Sequence, residues 1–475
     1  MATVTLKNYT RSKHQISMVY GVDDLQFTTS FWYNDVDFYL LENLYGERFM
    51  HWFYFNLVAF EMNKLQSVRP KYVDFGEYER FHTAEFERIW RRHFRGAYSQ
   101  WLYQNDLDTY TGPEFVHAAA DESKYDAVEI KTPTSAKTTA NERAVLVLNG
   151  GGKDSLVSMS IFDKIGVDFA SVGVSACRHG VSKKQHKLIR DLTAATNSKH
   201  HHQIWMFDDF FDSPLAEILG DKYGIKTVHV DEVLRFVMSM LPIVLQYGYR
   251  FISLGHEKSA EVPNFVWQKN GLAINHQHGK SRQQILMLKE YINENLIRNC
   301  HIFSVLKPIN DVVIFSMLNS LNATEAALTH SCNLEKPWCK KCPKCAYVLL
   351  GFMAYLPRPI ADDITGENVL NLPELRLFYR QLLGFDDFKP FECVGLIEET
   401  RLAFEICRRR GYTGKAMDDY SERVDALDFL TIADELTRVD CEYDQLPDEF
   451  REEILKFLNE HKTIARRYVE KYFQD

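Results

Sequence analysis

The chain has 475 residues, of which 45% are hydrophobic and 25% charged, and its formal net charge is −9 at pH 7. This length exceeds the usual size of one hydrophobic core, so we predict two or three domains of an ordinary globular protein. The acidic balance excludes a broad basic footprint for nucleic acid or an anionic membrane, although short basic runs such as residues 408–410 occur.

The first residues, MATVTLKNYTRSKHQ, lack the apolar segment of a secretory signal. No uncharged stretch reaches the roughly 20 residues of a membrane helix. We therefore predict a cytoplasmic protein without a membrane partner. Nine cysteines are too few for a disulfide scaffold in a chain of this length, and the cytosol would keep them reduced. Four of them lie close together, which points to a metal site.

Residues 1–135 form the first predicted domain, which is rich in aromatic residues and shows no nucleotide or metal motif. Alternation in HQISMVYG and LQFTTSFWY predicts strands, and GERFMHWFYFNLVAFEMNKL is long enough for a buried helix. The aromatic stripe of this helix is typical of a core rather than of a cofactor site. The polar stretch DAVEIKTPTSAKTTANER then predicts a linker over residues 126–143.

Residues 143–330 form the second predicted domain, in which strands alternate with helices. Strands are predicted for RAVLVLNG, FASVGVS, HQIWMFD, RFISLGH and HIFSVLKP, and helices for DSLVSMSIFDKIG, KKQHKLIRDLTAAT and DEVLRFVMSMLPIVLQYG. This alternation indicates an α/β fold with a parallel, doubly wound sheet, whose ligands bind at the carboxyl ends of the strands. Residues 361–475 are charged and amphipathic, and they predict a C-terminal helical region.

The stretch VLVLNGGGKDSLVS places three glycines between a predicted strand and a helix. Backbone N–H groups in such a loop can hold a phosphate, and glycines let the backbone approach it closely. A Walker A loop would need glycine at Val147 and a hydroxyl residue at Asp154, so that loop is excluded. A dinucleotide fingerprint would need glycine at Ser155. The structural alternative is a glycine-rich turn without a ligand.

The four clustered cysteines in SCNLEKPWCKKCPKC have the spacing C-x6-C-x2-C-x2-C. They are Cys332, Cys339, Cys342 and Cys345. Four thiolates with two short chelating steps suit a tetrahedral structural Zn²⁺ site, which we predict over residues 331–360. An iron–sulfur cluster is the chemical alternative, since it also uses four thiolates.

The glycine loop resembles the SGGxDS loop of the N-type ATP pyrophosphatases, the PP-loop group with a HUP-like fold. The residues that carry this resemblance are Gly150, Gly151, Gly152, Lys153, Asp154 and Ser155. The resemblance implies that ATP and Mg²⁺ bind here, that the glycines and Ser155 hold pyrophosphate, and that Asp154 acts near the metal. Lys153 would add positive charge on a phosphate. Gly150 replaces the usual serine, but backbone donors can still grip the anion.

A closer resemblance is to the UDP-N-acetylmuramoyl-L-alanyl-L-glutamate epimerase (MurL) family. It rests on the loop, LGHEKSAEVPN, FSVLKPI, the four cysteines and KPFECVG, and it extends to LQSVRPKYVDFG and WRRHFRGAYSQWLYQN. The implied reaction is ATP-dependent inversion of the terminal glutamate in UDP-MurNAc-L-Ala-L-Glu, with release of AMP and pyrophosphate. The implied partner is thus a small-molecule carboxylate rather than a nucleic acid.

Residues for the other steps are candidates only. Gly255, His256 and Glu257 follow a predicted strand and should border the ATP site. Lys307 could meet a phosphate or a carboxylate, although a lysine at the end of a strand is solvated at least as often. Cys177, His179 and Cys393 are conceivable acid–base groups, because a thiol or an imidazole can carry a proton. A lone cysteine is nevertheless more often a small buried residue. Residues 200–202, three consecutive histidines, read as the start of a strand rather than as a metal site.

Three alternatives to the epimerase remain open. The glycine loop and the four cysteines also occur in this order in the 7-cyano-7-deazaguanine synthases, which points to another adenylate-forming ligase. A tRNA-modifying enzyme is the second alternative, which the acidic charge balance disfavours. The third is a nucleotide-binding regulatory protein without catalysis, against which the intact Lys153, Asp154 and Ser155 argue.

Overall fold

The computed structural model describes residues 2–120, 125–131, 143–176, 179–210, 213, 232–424 and 426–473. Most of the predicted linker lies outside these residues. The strands in the described part are β1 Thr3–Arg11, β2 Gln15–Val22, β3 Leu25–Tyr33, β4 Tyr72–Asp74, β5 Glu114–Phe115, β6 Val145–Leu148, β7 Phe169–Ser175, β8 His201–Asp208, β9 Phe251–Leu254, β10 Phe265–Trp267, β11 Leu272–Ile274 and β12 His301–Ser304.

Ten of these strands form one sheet in the order β12-β9-β6-β7-β8-β3-β2-β1-β4-β5, and β10 pairs with β11 in a separate hairpin. The neighbours from β12 to β8 are parallel. The chain builds outward from β6 through β7 to β8 and then returns to β9 and β12 on the other side. The strand order therefore reverses at β6, where a crevice for ligands is expected.

The N-terminal strands extend this sheet instead of forming a separate one. β3 pairs antiparallel with β8, with Tyr33 opposite Ile204, and β2 and β1 follow in antiparallel order. β4 and β5 then add parallel pairs at the edge. The predicted α/β class with a mostly parallel central sheet is confirmed, but the antiparallel part was not predicted. The division into domains stays a prediction. The ten-stranded sheet contains strands from both the first predicted domain (residues 1–135) and the second (residues 143–330).

The helices of the described residues follow the predicted pattern in the second half of the chain. They are α1 Phe38–Tyr45, α2 Glu47–Met62, α3 Ala84–Ala97, α4 Ser99–Gln104, α5 Lys153–Lys164, α6 Ser182–Ala194, α7 Glu232–Tyr247, α8 Arg282–Asn295, α9 Asp311–Asn322, α10 Pro343–Tyr355, α11 Arg358–Thr365, α12 Pro373–Leu382, α13 Ile397–Arg409, α14 Lys415–Arg423, α15 Phe429–Leu436 and α16 Asp448–Glu470. The predicted helical character after residue 360 is thus confirmed.

Both faces of the parallel strands are buried, which explains their continuous apolar runs. The buried apolar residues form two hydrophobic clusters, one on each face of these strands. In β6, Val145 and Val147 belong to one cluster, and Leu146 belongs to the cluster on the opposite face. The helix α2 is buried on almost every side, and its aromatic residues, including Trp52 and Phe55, pack in the core. The interpretation of this aromatic stripe as core is confirmed.

Candidate active site

The glycine loop lies between β6 and α5, where the sequence predicts it. The Gly150 N–H donates to Ser155 Oγ at 3.1 Å, and the Gly151 N–H donates to Asn149 Oδ1 at 2.9 Å. The loop follows the strand at which the sheet order reverses and leads directly into a helix. Open α/β sheets bind anionic ligands at this position.

Two of the glycines pack against the segment that precedes the cysteine cluster. Gly151 has a φ of +82°, and a Cβ atom there would lie 1.8 Å from the His330 ring. A Cβ atom at Gly152 would lie 2.9 Å from Ser331 Oγ. Gly150, in contrast, has open space at its Cβ position. The second and third glycines therefore allow the close contact between the loop and the cysteine segment.

Substitutions at the first two glycines are expected to differ in effect. Gly151→Ala should lower the free energy of unfolding by about 3 kcal/mol, because its methyl group would clash with His330 at a positive φ. Gly150→Ser, which introduces the serine of the SGGxDS loop, should change this free energy by less than about 0.5 kcal/mol. Urea denaturation measures both values. Equal stabilities of the two variants would contradict the packing described here.

Lys153 extends into a buried polar network. Its Nζ donates to Asp154 Oδ1 at 2.5 Å and also to Asp311 Oδ1. Asp311 Oδ2 accepts a hydrogen bond of 2.8 Å from the Tyr347 hydroxyl. Burial opposes the charge on Lys153, but the two aspartates outweigh burial and raise the pKa of the ammonium. Its contact with a phosphate stays a prediction, since two carboxylates hold the ammonium in this structure.

A cavity of about 350 Å³ opens at the carboxyl ends of the parallel strands. Gly150 of the loop and His256, which follows β9, both line it. Three ammonium groups also belong to its wall, those of Lys280, Lys336 and Lys344. Lysine side chains are common partners of phosphates and carboxylates. The cavity thus combines a loop suited to anions with positive charge.

The segment after β9 lies beside the glycine loop. A Cβ atom at Gly255 would lie 3.3 Å from Asp154 Cβ, so a glycine lets this segment approach closely. The His256 N–H donates to Ser304 Oγ at 2.9 Å, and burial keeps the pKa of its ring well below the usual value. Burial opposes ionisation of Glu257, but Lys280, 3.2 Å away, outweighs burial and lowers the pKa of that carboxyl.

Lys307 is placed differently from the other candidates. It lines a second cavity of about 470 Å³ and not the cavity at the glycine loop. Its Nζ lies 2.6 Å from Glu261 Oε1 and donates to the Lys280 carbonyl oxygen at 2.9 Å. The structure therefore does not bring the Lys307 ammonium together with the loop, and its contact with ATP stays a prediction.

Two of the three conceivable acid–base groups line the cavity at the loop, and Cys177 lies outside the described residues. His179 Nδ1 lies 2.9 Å from the Asn333 carbonyl oxygen, and its Nε2 lies 3.0 Å from Glu232 Oε1. Cys393 lies in the loop between α12 and α13, and its N–H donates to Glu392 Oε1 at 2.7 Å. Both segments thus contribute proton-carrying groups to one cavity.

His276 is a site residue that the sequence analysis missed. One nitrogen of its ring, a Glu392 carboxylate oxygen and Cys393 Sγ all lie within 4.8 Å of one another. His276 Nδ1 lies 2.6 Å from Gln100 Oε1, so Nδ1 carries the proton and Nε2 is the basic nitrogen. Burial lowers the pKa of His276 to about 4, which leaves the ring neutral at pH 7.

No local signal in the sequence identifies this group. Glu392 and Cys393 belong to the quoted KPFECVG stretch, but His276 lies in a short irregular segment after β11. Its partner Gln100 belongs to α4, in the N-terminal part of the chain. The arrangement therefore depends on contacts between segments that are far apart in the sequence.

The four predicted metal ligands converge as the sequence predicts. The Cys332 and Cys342 sulfurs are 3.9 Å apart, and those of Cys339 and Cys345 are 3.8 Å apart. Zn–S bonds of 2.3 Å in a tetrahedron require sulfur separations of about 3.8 Å. These two separations match that value, and all four sulfurs lie within 4.8 Å of one another, as a closed zinc site requires.

The cysteine segment also shapes the cavity. It carries Asn333, Lys336 and Lys344 to the cavity wall. The Asn333 amide donates to Glu392 Oε1 at 2.8 Å, and Lys344 Nζ donates to the Cys393 carbonyl oxygen. An ion held by the four cysteines would thus fix both the glycine loop and the Cys393 segment indirectly.

Comparisons with known proteins point to one family. Residues 320–421 match the family model for the MurL C-terminal domain. Three curated relatives are named UDP-N-acetyl-alpha-D-muramoyl-L-alanyl-L-glutamate epimerase. They come from a Micromonospora species (27% identical, 54% of this chain and 55% of the relative), Salinispora tropica (28%, 54% and 54%) and Xanthomonas oryzae pv. oryzae (26%, 59% and 62%).

The matches span little more than half the length of the relatives. Among the described residues, no helix combines the length and the apolarity that crossing a bilayer requires. The resemblance drawn from the motifs is confirmed, since both the family model and the relatives show that the chain is similar to the UDP-N-acetylmuramoyl-L-alanyl-L-glutamate epimerases.

Proposed function

We propose that the protein is a cytoplasmic, ATP-dependent epimerase that inverts the terminal glutamate of UDP-MurNAc-L-Ala-L-Glu. One observation carries this proposal: Gly150 of the glycine loop and the proton-carrying group Cys393 line the same cavity. A loop that positions ATP and a group that moves a proton are the two parts that such a reaction needs. The names of the relatives point to the same substrate.

The chemistry explains why an epimerase would use ATP. Removing the α proton beside a free carboxylate would create a dianion, which is prohibitive near neutral pH. Attack of the carboxylate oxygen on the α phosphorus forms an acyl–phosphate bond, breaks the bond to the β phosphate and releases pyrophosphate. The resulting anhydride has no carboxylate charge, so a general base can remove the α proton. Reprotonation on the opposite face and hydrolysis release AMP and the inverted product.

We assign the first half of this reaction to the glycine loop, in the manner of a PP-loop ATP pyrophosphatase. Gly150, Gly151, Gly152 and Ser155 would hold the pyrophosphate portion. Asp154 would orient Mg²⁺, and Lys280 and Lys344 would compensate charge on phosphates or on the substrate carboxylate. The predicted contacts of Lys153 and Lys307 with phosphate would require both ammonium groups to exchange their present partners.

We assign one proton transfer of the second half to Cys393, with His276 as its positioning residue. Burial raises the pKa of the Cys393 thiol, and the nearby Lys280 and Lys344 act in the opposite direction. The thiol is therefore mainly protonated in the free protein. The positive charge of Lys280 and Lys344 would assist its deprotonation, and the neutral ring of His276, which Gln100 orients, would position the thiol. The proton that leaves the α carbon would then pass to the Cys393 sulfur.

The four cysteines are proposed to hold a structural Zn²⁺. Their sulfur separations fit this ion, and Cys342 also caps α10, since Cys342 Sγ accepts from the Cys345 N–H at 3.4 Å. When bound, zinc would supply cross-linking rather than Lewis-acid chemistry, because four protein ligands leave no open position. The cross-link would hold His330 and Ser331, which directly precede Cys332, in their packed position on the glycine loop.

The test is incubation of the purified protein with ATP, Mg²⁺ and UDP-MurNAc-L-Ala-L-Glu. AMP is measured directly, and the chirality of glutamate is measured after acid hydrolysis. We expect AMP together with D-glutamate, and we expect Asp154→Asn to lower both by at least about 100-fold. AMP without inversion would instead support another adenylate-forming ligase, whose carboxylate substrate would be sought in a panel. Formation of neither product would contradict the proposal.

A further inference from the structure

The three consecutive histidines of residues 200–202 form a cluster that the proposed reaction does not use. As predicted, the run marks the start of a strand, since β8 begins at His201. This is the amino end of a parallel strand, so the run lies at the end of the sheet opposite the cavity. His200 and His202 approach Asp35, which follows β3, whereas His201 Nδ1 lies 2.7 Å from Ser171 Oγ.

The ligand atoms of Asp35, His200 and His202 converge on one point. Asp35 Oδ2 lies 2.7 Å from His200 Nε2 and 2.8 Å from His202 Nδ1, and all three atoms lie within 4.8 Å of one another. The other carboxylate oxygen, Asp35 Oδ1, is buried, and the described residues offer it no hydrogen-bond partner. The side chain of His200 is 40% exposed, so an ion from solvent can reach the cluster.

A surrounding layer of polar groups fixes these ligands. His202 Nε2 lies 3.0 Å from the Tyr249 hydroxyl, which can accept a hydrogen bond from the Nε2–H group and leave the Nδ1 lone pair directed at the cluster. The Gln246 amide and the Tyr247 hydroxyl donate to the Asp35 carbonyl oxygen at 2.6 and 3.1 Å. Such outer hydrogen bonds typically orient metal-binding histidines and carboxylates.

We propose that Asp35, His200 and His202 form a second metal site, which binds a divalent transition-metal ion such as Zn²⁺ or Ni²⁺. Two imidazole nitrogens and one carboxylate oxygen favour such ions over Mg²⁺ and Ca²⁺, which prefer oxygen ligands. The ion would replace the two histidine–aspartate hydrogen bonds, and water would complete its coordination. Because β3 and β8 form the antiparallel seam of the sheet, the site would tie the N-terminal strands to the parallel ones.

The test uses the full-length protein with zinc retained at the four cysteines, and it uses Ni²⁺ as the probe. Isothermal titration should reveal one Ni²⁺ site per chain, and Ni²⁺ should raise the melting temperature. His200→Ala and Asp35→Asn should each weaken this binding by at least about tenfold. His201→Ala is the matched control, because His201 belongs to the same run but faces Ser171; it should leave the binding unchanged.

The exposed position of His200 makes its substitution compatible with folding, and far-UV circular dichroism verifies this for each variant. Ni²⁺ binding that is equal in the wild type, His200→Ala and Asp35→Asn would show an adventitious surface site and overturn the proposal. The absence of any binding to the wild type would overturn it as well. Neither result would affect the epimerase assignment, since this cluster lies away from the cavity.

Discussion

Replacing Cys393 by alanine is expected to lower the rate of glutamate inversion by about 100- to 10,000-fold, the usual contribution of a general acid or base. Release of AMP should continue, because the glycine loop and the lysines of the cavity remain. The adenylated substrate would then be hydrolysed without inversion, so the ratio of AMP to D-glutamate should rise steeply. The measurement combines AMP quantification with chiral analysis of glutamate in the same reaction.

A second readout separates a chemical role of Cys393 from a structural one. In D₂O the wild type should introduce deuterium at the α carbon of glutamate, and Cys393→Ala should lose this exchange. Cys441→Ala is the matched control, because Cys441 is an exposed cysteine that does not line the cavity. Undiminished inversion in Cys393→Ala would refute its proton transfer. Parallel loss of AMP and inversion would indicate a role in substrate binding instead.

Replacing Cys342 by serine is expected to destabilise the protein by about 4 kcal/mol or more, the range that accompanies loss of a structural metal. Cys342 contributes one of the four converging sulfurs and caps α10. The segment that it anchors holds His330 against Gly151, so formation of AMP should fall together with stability. Urea denaturation and elemental analysis of zinc measure the two effects.

Cys441→Ser is again the control, since this exposed thiol lies outside the four-cysteine cluster. It should retain one zinc per chain at the cluster and the stability of the wild type. Unchanged stability and zinc content in Cys342→Ser would contradict the zinc site. Iron and sulfide in the wild type, in place of zinc, would identify the cluster as an iron–sulfur centre.

Several elements were predictable because their signals are local. The apolar runs at β6 and β7 indicated strands that are buried on both faces, and the glycines after β6 indicated the start of α5. The buried aromatic helix α2 was equally clear from its length and composition. The convergence of the four cysteines followed from their spacing, since short loops bring such ligands together.

Other features depended on contacts between distant segments. The N-terminal strands join the parallel sheet because β3 pairs with β8, about 175 residues further along the chain. Lys153 was expected to contact phosphate, but its ammonium is held by Asp311, which belongs to α9. A sequence pattern reports hydrophobic period and turn preference, and neither reveals which remote side chain will neutralise a buried charge.

The sequence by itself determined the α/β class, the glycine loop, the cysteine cluster and the resemblance to the epimerase family. These depend on period, spacing and residue type, which are properties of neighbouring residues. Only the tertiary structure decided that Gln100 orients His276 beside Cys393, and that Asp35 meets His200 and His202. The physical reason is that packing of remote elements, and not local preference, sets which polar groups share a buried space.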